Sequence, residues 1–144
     1  KEKLNLFKFL TTYVNACHWN NVQEPMGNKD LTVNLDVKLF ERVLDNLVGN
    51  AVKHTPNGTN IYLEIYKRDS LACISIRDEG PGIPEEVLEN LFNRYYRGTN
   101  TTSETSGTGL GLAITKQLIE AHDGTIKVES SNTGTLVTVI FPKE

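Results

Sequence analysis

The chain is poor in the features that announce several common chemistries. Its 144 residues hold two cysteines, Cys17 and Cys73, with no Cys-x-x-Cys pair and no cysteine–histidine ligand spacing around them. A zinc site or a disulfide framework is therefore not expected, and both read as free core thiols. No apolar run approaches the roughly 18 residues that a membrane-spanning helix requires, and no signal-peptide pattern stands at Lys1. Cationic excess is lacking too: 15 Lys and Arg against 18 Asp and Glu leave a formal net charge of -3. Nucleic-acid surfaces select for clustered cations, so no nucleic-acid partner is expected. Nor does a Gly-Lys pair occur anywhere, which removes the P-loop. What remains, at 38% hydrophobic and 23% charged residues, is the profile of one soluble globular domain over 1–144.

Two periodicities organise it. From Leu4 to about Trp19, the residues Leu6, Phe7, Leu10, Val14 and Cys17 recur at spacings of three and four, which predicts an amphipathic helix. The segment Asn20 to Lys29, with Pro25 and Gly27, is expected to end it as a loop. Leu31, Val33 and Leu35 alternate as a short strand, and Asp36 is placed to cap the next helix. In that helix Phe40, Val43, Leu44, Leu47, Val48, Ala51 and Val52 make a broad apolar stripe. Asn46, Asn50 and Lys53, at i, i+4 and i+7, fall together on one flank of it. Pro56-Asn57-Gly58 stops the helix, and Ile61, Leu63 and Ile65 alternate as a second strand.

A third strand runs from about Leu71 to Arg77, with Ala72, Ile74 and Ile76 on one face, and period two puts Asp78 on that same face. A carboxylate aimed toward the core side is costly unless the protein or a ligand donates to it. Pro84, Glu85 and Glu86 then open a short helix through Val87, Leu88 and Leu91. The stretch Gly98 to Gly107 holds no apolar side chain and is expected to be mobile. Leu110, Ile114, Leu118 and Ala121 mark another helix that Gly124 ends. Two final strands, with Ile126 and Val128 in one and Val137, Val139 and Phe141 in the other, are joined by the Asn132-Thr133-Gly134 turn.

The chemistry gathers at the glycine turn Gly107-Thr108-Gly109-Leu110-Gly111-Leu112, which opens an apolar helix. Unpaired backbone N–H groups and the helix dipole make such a terminus an anion site, and glycines let a polyphosphate approach the main chain. A dinucleotide fingerprint would need glycine where Leu112 stands. Coupled to the asparagine-bearing helix and the Asp78-Glu79-Gly80 loop, the turn points to a nucleoside triphosphate.

The ordered set Asn46-Leu47-Val48-Gly49-Asn50-Ala51-Val52-Lys53-His54-Thr55, Asp78-Glu79-Gly80-Pro81-Gly82-Ile83-Pro84, Leu91-Phe92-Asn93-Arg94-Tyr95-Tyr96-Arg97 and Gly107 to Leu112 resembles the N, G1, F and G2 boxes of the catalytic and ATP-binding domain of two-component sensor histidine kinases. The resemblance runs from about Leu4 to Pro142. It implies an α/β (α+β) two-layer sandwich of the Bergerat type: a mixed, mostly antiparallel sheet of about five strands with helices on one face. ATP and magnesium would lie between the N-box helix and a lid at about 98–107.

Residue by residue, the resemblance makes Asn50 the magnesium ligand, a role that suits a hard cation completed by phosphate oxygens and waters. Asn46 would support the phosphate and metal side, Lys53 would reach the phosphates as a point charge, and His54 would line the pocket. Asp78 would read adenine, because a carboxylate accepts from the exocyclic amino group that adenine has and guanine lacks. Gly80 and Gly82 would let the base lie against the main chain. Ile83, Tyr95, Thr135 and the turn Gly107, Thr108, Gly109, Leu110, Gly111 and Leu112 would complete the nucleotide site. Arg94 and Arg97 match basic F-box positions, where an arginine steadies γ-phosphate charge during transfer. One departure is Asp123, where the family usually has glycine before Gly124.

None of His18, His54 and His122 has the helical context with a flanking acid expected of a phosphoacceptor. The resemblance thus implies an excised module whose partner is a phosphoacceptor histidine domain of the same parent, with a response regulator beyond it. It also implies a cytoplasmic position in a dimeric, membrane-attached bacterial parent, this domain itself being monomeric. Two alternatives keep the fold: an ATPase of the chaperone, topoisomerase or mismatch-repair kind or an anti-sigma serine kinase, and a nucleotide-gated interaction module without turnover.

Overall fold

The computed structural model of the protein describes residues 2–17, 19, 21–54, 59–80, 113–131 and 133–142. In chain order these form β1 (Glu2–Asn5), α1 (Leu6–Cys17), β2 (Met26–Gly27), β3 (Thr32–Leu35), α2 (Val37–His54), β4 (Ile61–Arg68) and β5 (Leu71–Asp78). Then come α3, helical over residues 113–121, β6 (Thr125–Ser131) and β7 (Gly134–Pro142). The side chains of Lys53 and His54 and the short helix expected from Pro84 lie outside the described residues.

Five strands make one sheet in the order β2-β4-β5-β7-β6, and β1 pairs with β3 apart from it. All neighbours are antiparallel except β2 and β4, which run parallel. The sheet is therefore mixed and mostly antiparallel, as the resemblance leads one to expect.

One face of this sheet carries the apolar alternation. Ile61, Leu63 and Ile65 of β4, Ala72, Ile74 and Ile76 of β5, and Val139 and Phe141 of β7 are all buried, and they meet Leu6 and Leu10 of α1, Phe40, Val43, Leu44, Leu47 and Val48 of α2, and Ile119 of α3. Phe40 is the centre of an aromatic group, with ring centroids 5.3 Å from Phe9 and 5.9 Å from Phe141, the latter edge-on. Each such side chain contributes roughly 1.5–3 kcal/mol by leaving water. Tyr13 fastens α1 to α2 from the side: its Oη donates to Asp45 Oδ1 at 2.6 Å. Burial and the neighbouring carboxylate hold the Tyr13 phenol well above its usual range, so it stays a donor.

Two expectations are corrected. The first helix begins at Leu6, because Asn5 is its cap, the Lys8 N–H donating to Asn5 Oδ1 at 3.0 Å. Leu4 belongs instead to β1, opposite Val33. The stretch from Asn20 to Lys29 is not all loop: Val22 bridges to Ile61, and Met26 and Gly27 pair with Glu64 and Ile65. A two-residue edge strand has no period to read. Gly27 is fixed there by space, since with φ at +112° a Cβ would sit 2.0 Å from the Ile65 carbonyl oxygen.

The helix ends follow the expected chemistry. Asp36 caps α2 by accepting from Leu39 N–H at 3.1 Å. After α3, Gly124 N–H donates to Ile119 O and Asp123 N–H to Glu120 O, the Schellman pattern with Asp123 in the left-handed position at φ +62°. That explains why a glycine commonly stands there in the family the chain resembles, and why aspartate, which tolerates this conformation, can replace it. Cys17 is half-buried and Cys73 buried, and both are free thiols.

Candidate functional site

Asp78 ends β5 in register with Ile61 of β4 and Thr135 of β7. Because Ile61 is wholly buried and Val137 and Val139 follow Thr135 on the same face at period two, this row of three faces the helix layer. Asp78 is half-buried there. Its Oδ1 accepts the N–H of buried Gly80 at 3.0 Å, and no other described residue donates to the carboxylate. Among the described residues, one oxygen is thus anchored by the main chain and the second has no donor.

The neighbouring hairpin packs tightly against this strand end. At Gly134 a Cβ would lie 2.1 Å from the Asp78 carbonyl oxygen and 3.2 Å from Glu79 Cα, so only glycine lets β7 start beside Asp78. An open cleft of about 320 Å³ lies here, lined among others by Asp78, Ser130, Thr133, Gly134 and Thr135. Replacing Gly134 with alanine is expected to destabilise the fold by about 1–3 kcal/mol, since main chain cannot rotate away as a side chain can. Urea denaturation reads this directly, and an unchanged midpoint would refute the close approach.

On α2 the sequence places Asn46 and Asn50 one turn apart, and both are half-buried. Asn46 Nδ2 donates to Thr115 Oγ1 of α3 at 2.9 Å. Thr115 is fully buried and stands three residues beyond Leu112, so the helix leaving the glycine turn is tied to the asparagine flank. The Asn50 side chain has no hydrogen-bond partner among the described residues. α2 ends at His54, and residues 55–60 lead to Ile61, the cross-strand neighbour of Asp78. The last turns of α2 and the Asp78 row therefore belong to the same end of the sandwich.

A magnesium ion, implied by the resemblance, fits this donor set. The described residues hold no group of three or more His, Cys, Asp and Glu able to cage a metal. An amide oxygen such as that of Asn50 can take one position of a hard cation whose remaining ligands are phosphate oxygens and waters.

Of the other residues read from the sequence, Lys53 and His54 lie on the α2 backbone, with side chains outside the described residues. Gly82, Ile83, Arg94, Tyr95, Arg97, the turn Gly107, Thr108, Gly109, Leu110, Gly111 and Leu112, and the stretch 98–107 also lie outside the described residues. His122 is buried, with Nδ1 2.7 Å from Leu118 O and Nε2 accepting Asp36 N–H at 3.2 Å. Both ring nitrogens are occupied, which is incompatible with a phosphoacceptor role. Sequence reasoning missed the hydrogen bond from Asn46 to Thr115 and the close approach of Gly134 to Asp78. A threonine on the apolar face of α3 and a glycine opening a strand were the available signals.

Comparison with known proteins bears on this geometry. A family described as "Histidine kinase-, DNA gyrase B-, and HSP90-like ATPase" matches residues 35–144. Sensor histidine kinase YvrG of Bacillus subtilis is 50% identical over 111 residues, covering 76% of this chain and 19% of that protein. Sensor histidine kinase WalK of the same organism is 32% identical over 151 residues, covering 99% of this chain and 25% of that protein. The chain therefore spans about a fifth to a quarter of the length of these relatives. Among solved structures, the mycobacterial sensor histidine kinase MprB superposes with a TM-score of 0.83 at 26% identity, over 99% of both chains.

Proposed function

Because the chain belongs to the histidine kinase-, DNA gyrase B- and HSP90-like ATPase family, with sensor histidine kinases as relatives, we propose that it binds Mg·ATP and donates the γ-phosphoryl group to a histidine on a separate phosphoacceptor domain. The observation that carries this reading is Asp78: a carboxylate facing the helix layer, with one oxygen held by Gly80 N–H. A group fixed in that way suits the amino edge of adenine. Thr135 and Gly134 form the wall beside it. Asn50, with Asn46 one turn before it, attends the phosphates at the same end of α2. Lys53, His54, Gly80, Gly82, Ile83, Tyr95 and the turn from Gly107 to Leu112 complete the nucleotide contacts in this proposal, and Arg94 and Arg97 attend the γ-phosphate.

Transfer then needs little covalent chemistry from the protein. An imidazole nitrogen of the acceptor histidine forms a bond to the γ-phosphorus as the bond to the β,γ-bridging oxygen breaks, and ADP leaves. Bound magnesium would neutralise charge on the phosphate oxygens. This chain's residues hold the nucleotide in line and steady the charge that develops on the transferring group. The base belongs beside the acceptor, and none is assigned to this chain.

The module is proposed to be one part of a longer bacterial sensor kinase, cytoplasmic in a dimeric and membrane-attached parent. No helix among the described residues is long and apolar enough to cross a membrane. The test supplies radiolabelled ATP, magnesium and the acceptor hairpin of the parent protein to this chain. Acid-labile, base-stable label on histidine is the expected result. Label on serine would move the assignment to a serine kinase, and binding without label on any hairpin would leave a nucleotide-gated module.

A further inference from the structure

We propose that the outer edge of β6 is a contact for a second copy of this chain, joined antiparallel about a two-fold axis at Val128 so that Lys127 of each copy faces Glu129 of the other. β6 (Thr125–Ser131) ends the five-stranded sheet, and among the described residues it pairs with β7 alone. Its outer edge is a row of main-chain donors and acceptors that another strand can meet. Such edges are commonly blunted by proline, by a bulge or by shortness, and β6 has none of these. Its seven residues include no proline, and its register with β7 runs unbroken from Thr125 opposite Ile140 to Ser131 opposite Gly134. The strand at the opposite end of the sheet, β2, has only two residues.

A lysine on an edge strand ordinarily keeps other strands away. Here the residue two places on turns that charge into a selector. Lys127 and Glu129 are exposed and alternate with Ile126 and Val128, which pack against the core. Both charges therefore stand on the face of the sheet turned away from the helices, and neither has an ion-pair partner among the described residues. In an antiparallel pair of identical strands the position of the two-fold fixes every facing residue. An axis at Val128 sets Lys127 against Glu129 of the second copy twice over, with Val128 against Val128 on the helix side. An axis at Lys127 or at Glu129 sets a charge against itself, and a parallel pairing in register sets lysine beside lysine. One arrangement alone makes both opposite-charge pairs, each worth about 0.2–1 kcal/mol across a strand pair, while like charges are penalised. The contact lies two strands from β5, whose end carries Asp78, so it stands or falls apart from the nucleotide reading.

One strand pair buries less surface than a stable interface needs, so the expected dissociation constant is on the order of 0.1–1 mM. The isolated chain is then monomeric at micromolar concentration. Sedimentation equilibrium and backbone amide shifts are followed from about 20 μM to about 2 mM, a range that brackets this constant, with the melting temperature recorded for each variant. The parent chain is expected to dimerise, with shifts centred on β6. Lys127→Glu and Glu129→Lys, both at exposed positions, should each weaken association by about tenfold or more, because both facing pairs become like-charged. Mixing the two single variants makes every facing pair opposite in sign again, and the mixture should associate to within about threefold of the parent. The double variant K127E/E129K, which has the parent's net charge, should do the same. A chain that stays monomeric throughout the range, association indifferent to the single reversals, or a mixture that associates no better than either single variant would each overturn the edge contact.

Discussion

Replacing Asn50 with alanine is expected to lower phosphoryl transfer to a supplied acceptor hairpin by on the order of 10³-fold, in the range seen when a group that stabilises transition-state charge is removed. The fold should not suffer. Asn50 is half-buried on α2, has no hydrogen-bond partner among the described residues, and is intrinsically poor in a helix, whereas alanine is the best helix former. The melting temperature should therefore hold or rise slightly while transfer collapses, a separation that a packing residue would not give. Asn50→Asp is the informative control. It keeps an oxygen ligand but adds negative charge near the C-terminal end of α2, where the helix dipole disfavours it, and it would bind magnesium without nucleotide. Its Mg·ATP affinity should fall while metal binding alone becomes measurable. Transfer by Asn50→Ala within threefold of the parent chain would remove Asn50 from the site.

How far the site could be read in advance depended on the range of the contact. Asn46 and Asn50 share a flank of α2 because the stripe from Phe40 to Val52 fixes the helix phase, and that phase is written locally. The face of Asp78 was equally legible, since period two carries it from Ala72, Ile74 and Ile76 through one strand. The register that sets Thr135 opposite Asp78 needs β5 and β7 to pair across more than fifty residues, and nothing local marks it; only the resemblance had set Thr135 at the adenine pocket. Nothing local marks the Asn46–Thr115 bond, which depends on how α2 and α3 lie on one sheet. The edge pairing of Met26 and Gly27 was hidden for a related reason: its hydrogen bonds are main-chain, and a glycine selected by the nearby Ile65 carbonyl looks like a loop residue. Helix limits were misread where a polar cap decided them, as Asn5 does for α1.

Changing Asp78 to asparagine is expected to weaken ATP binding by about 10- to 100-fold and, in the same protein, to improve GTP relative to ATP. The loss alone would follow from removing a charge-assisted bond of roughly 1.5–3 kcal/mol. The change of preference follows from Gly80. Its N–H donates to Asp78 Oδ1 at 3.0 Å, and in the variant that N–H must be met by the amide oxygen, because an NH2 group cannot accept it. The amide nitrogen is then forced to the position of the second carboxylate oxygen, where it donates outward. Against adenine this sets donor against donor. Against guanine it meets the carbonyl oxygen at the same ring position and becomes a favourable pair. Asp78→Ala, by contrast, removes the bond without creating a donor, so it should lose ATP affinity and gain nothing for GTP. Calorimetry with both nucleotides on both variants separates the cases. An asparagine variant that keeps the parent's ATP-to-GTP ratio would mean that the base is read elsewhere, and Asp78 would then be a turn residue whose only work is to hold Gly80.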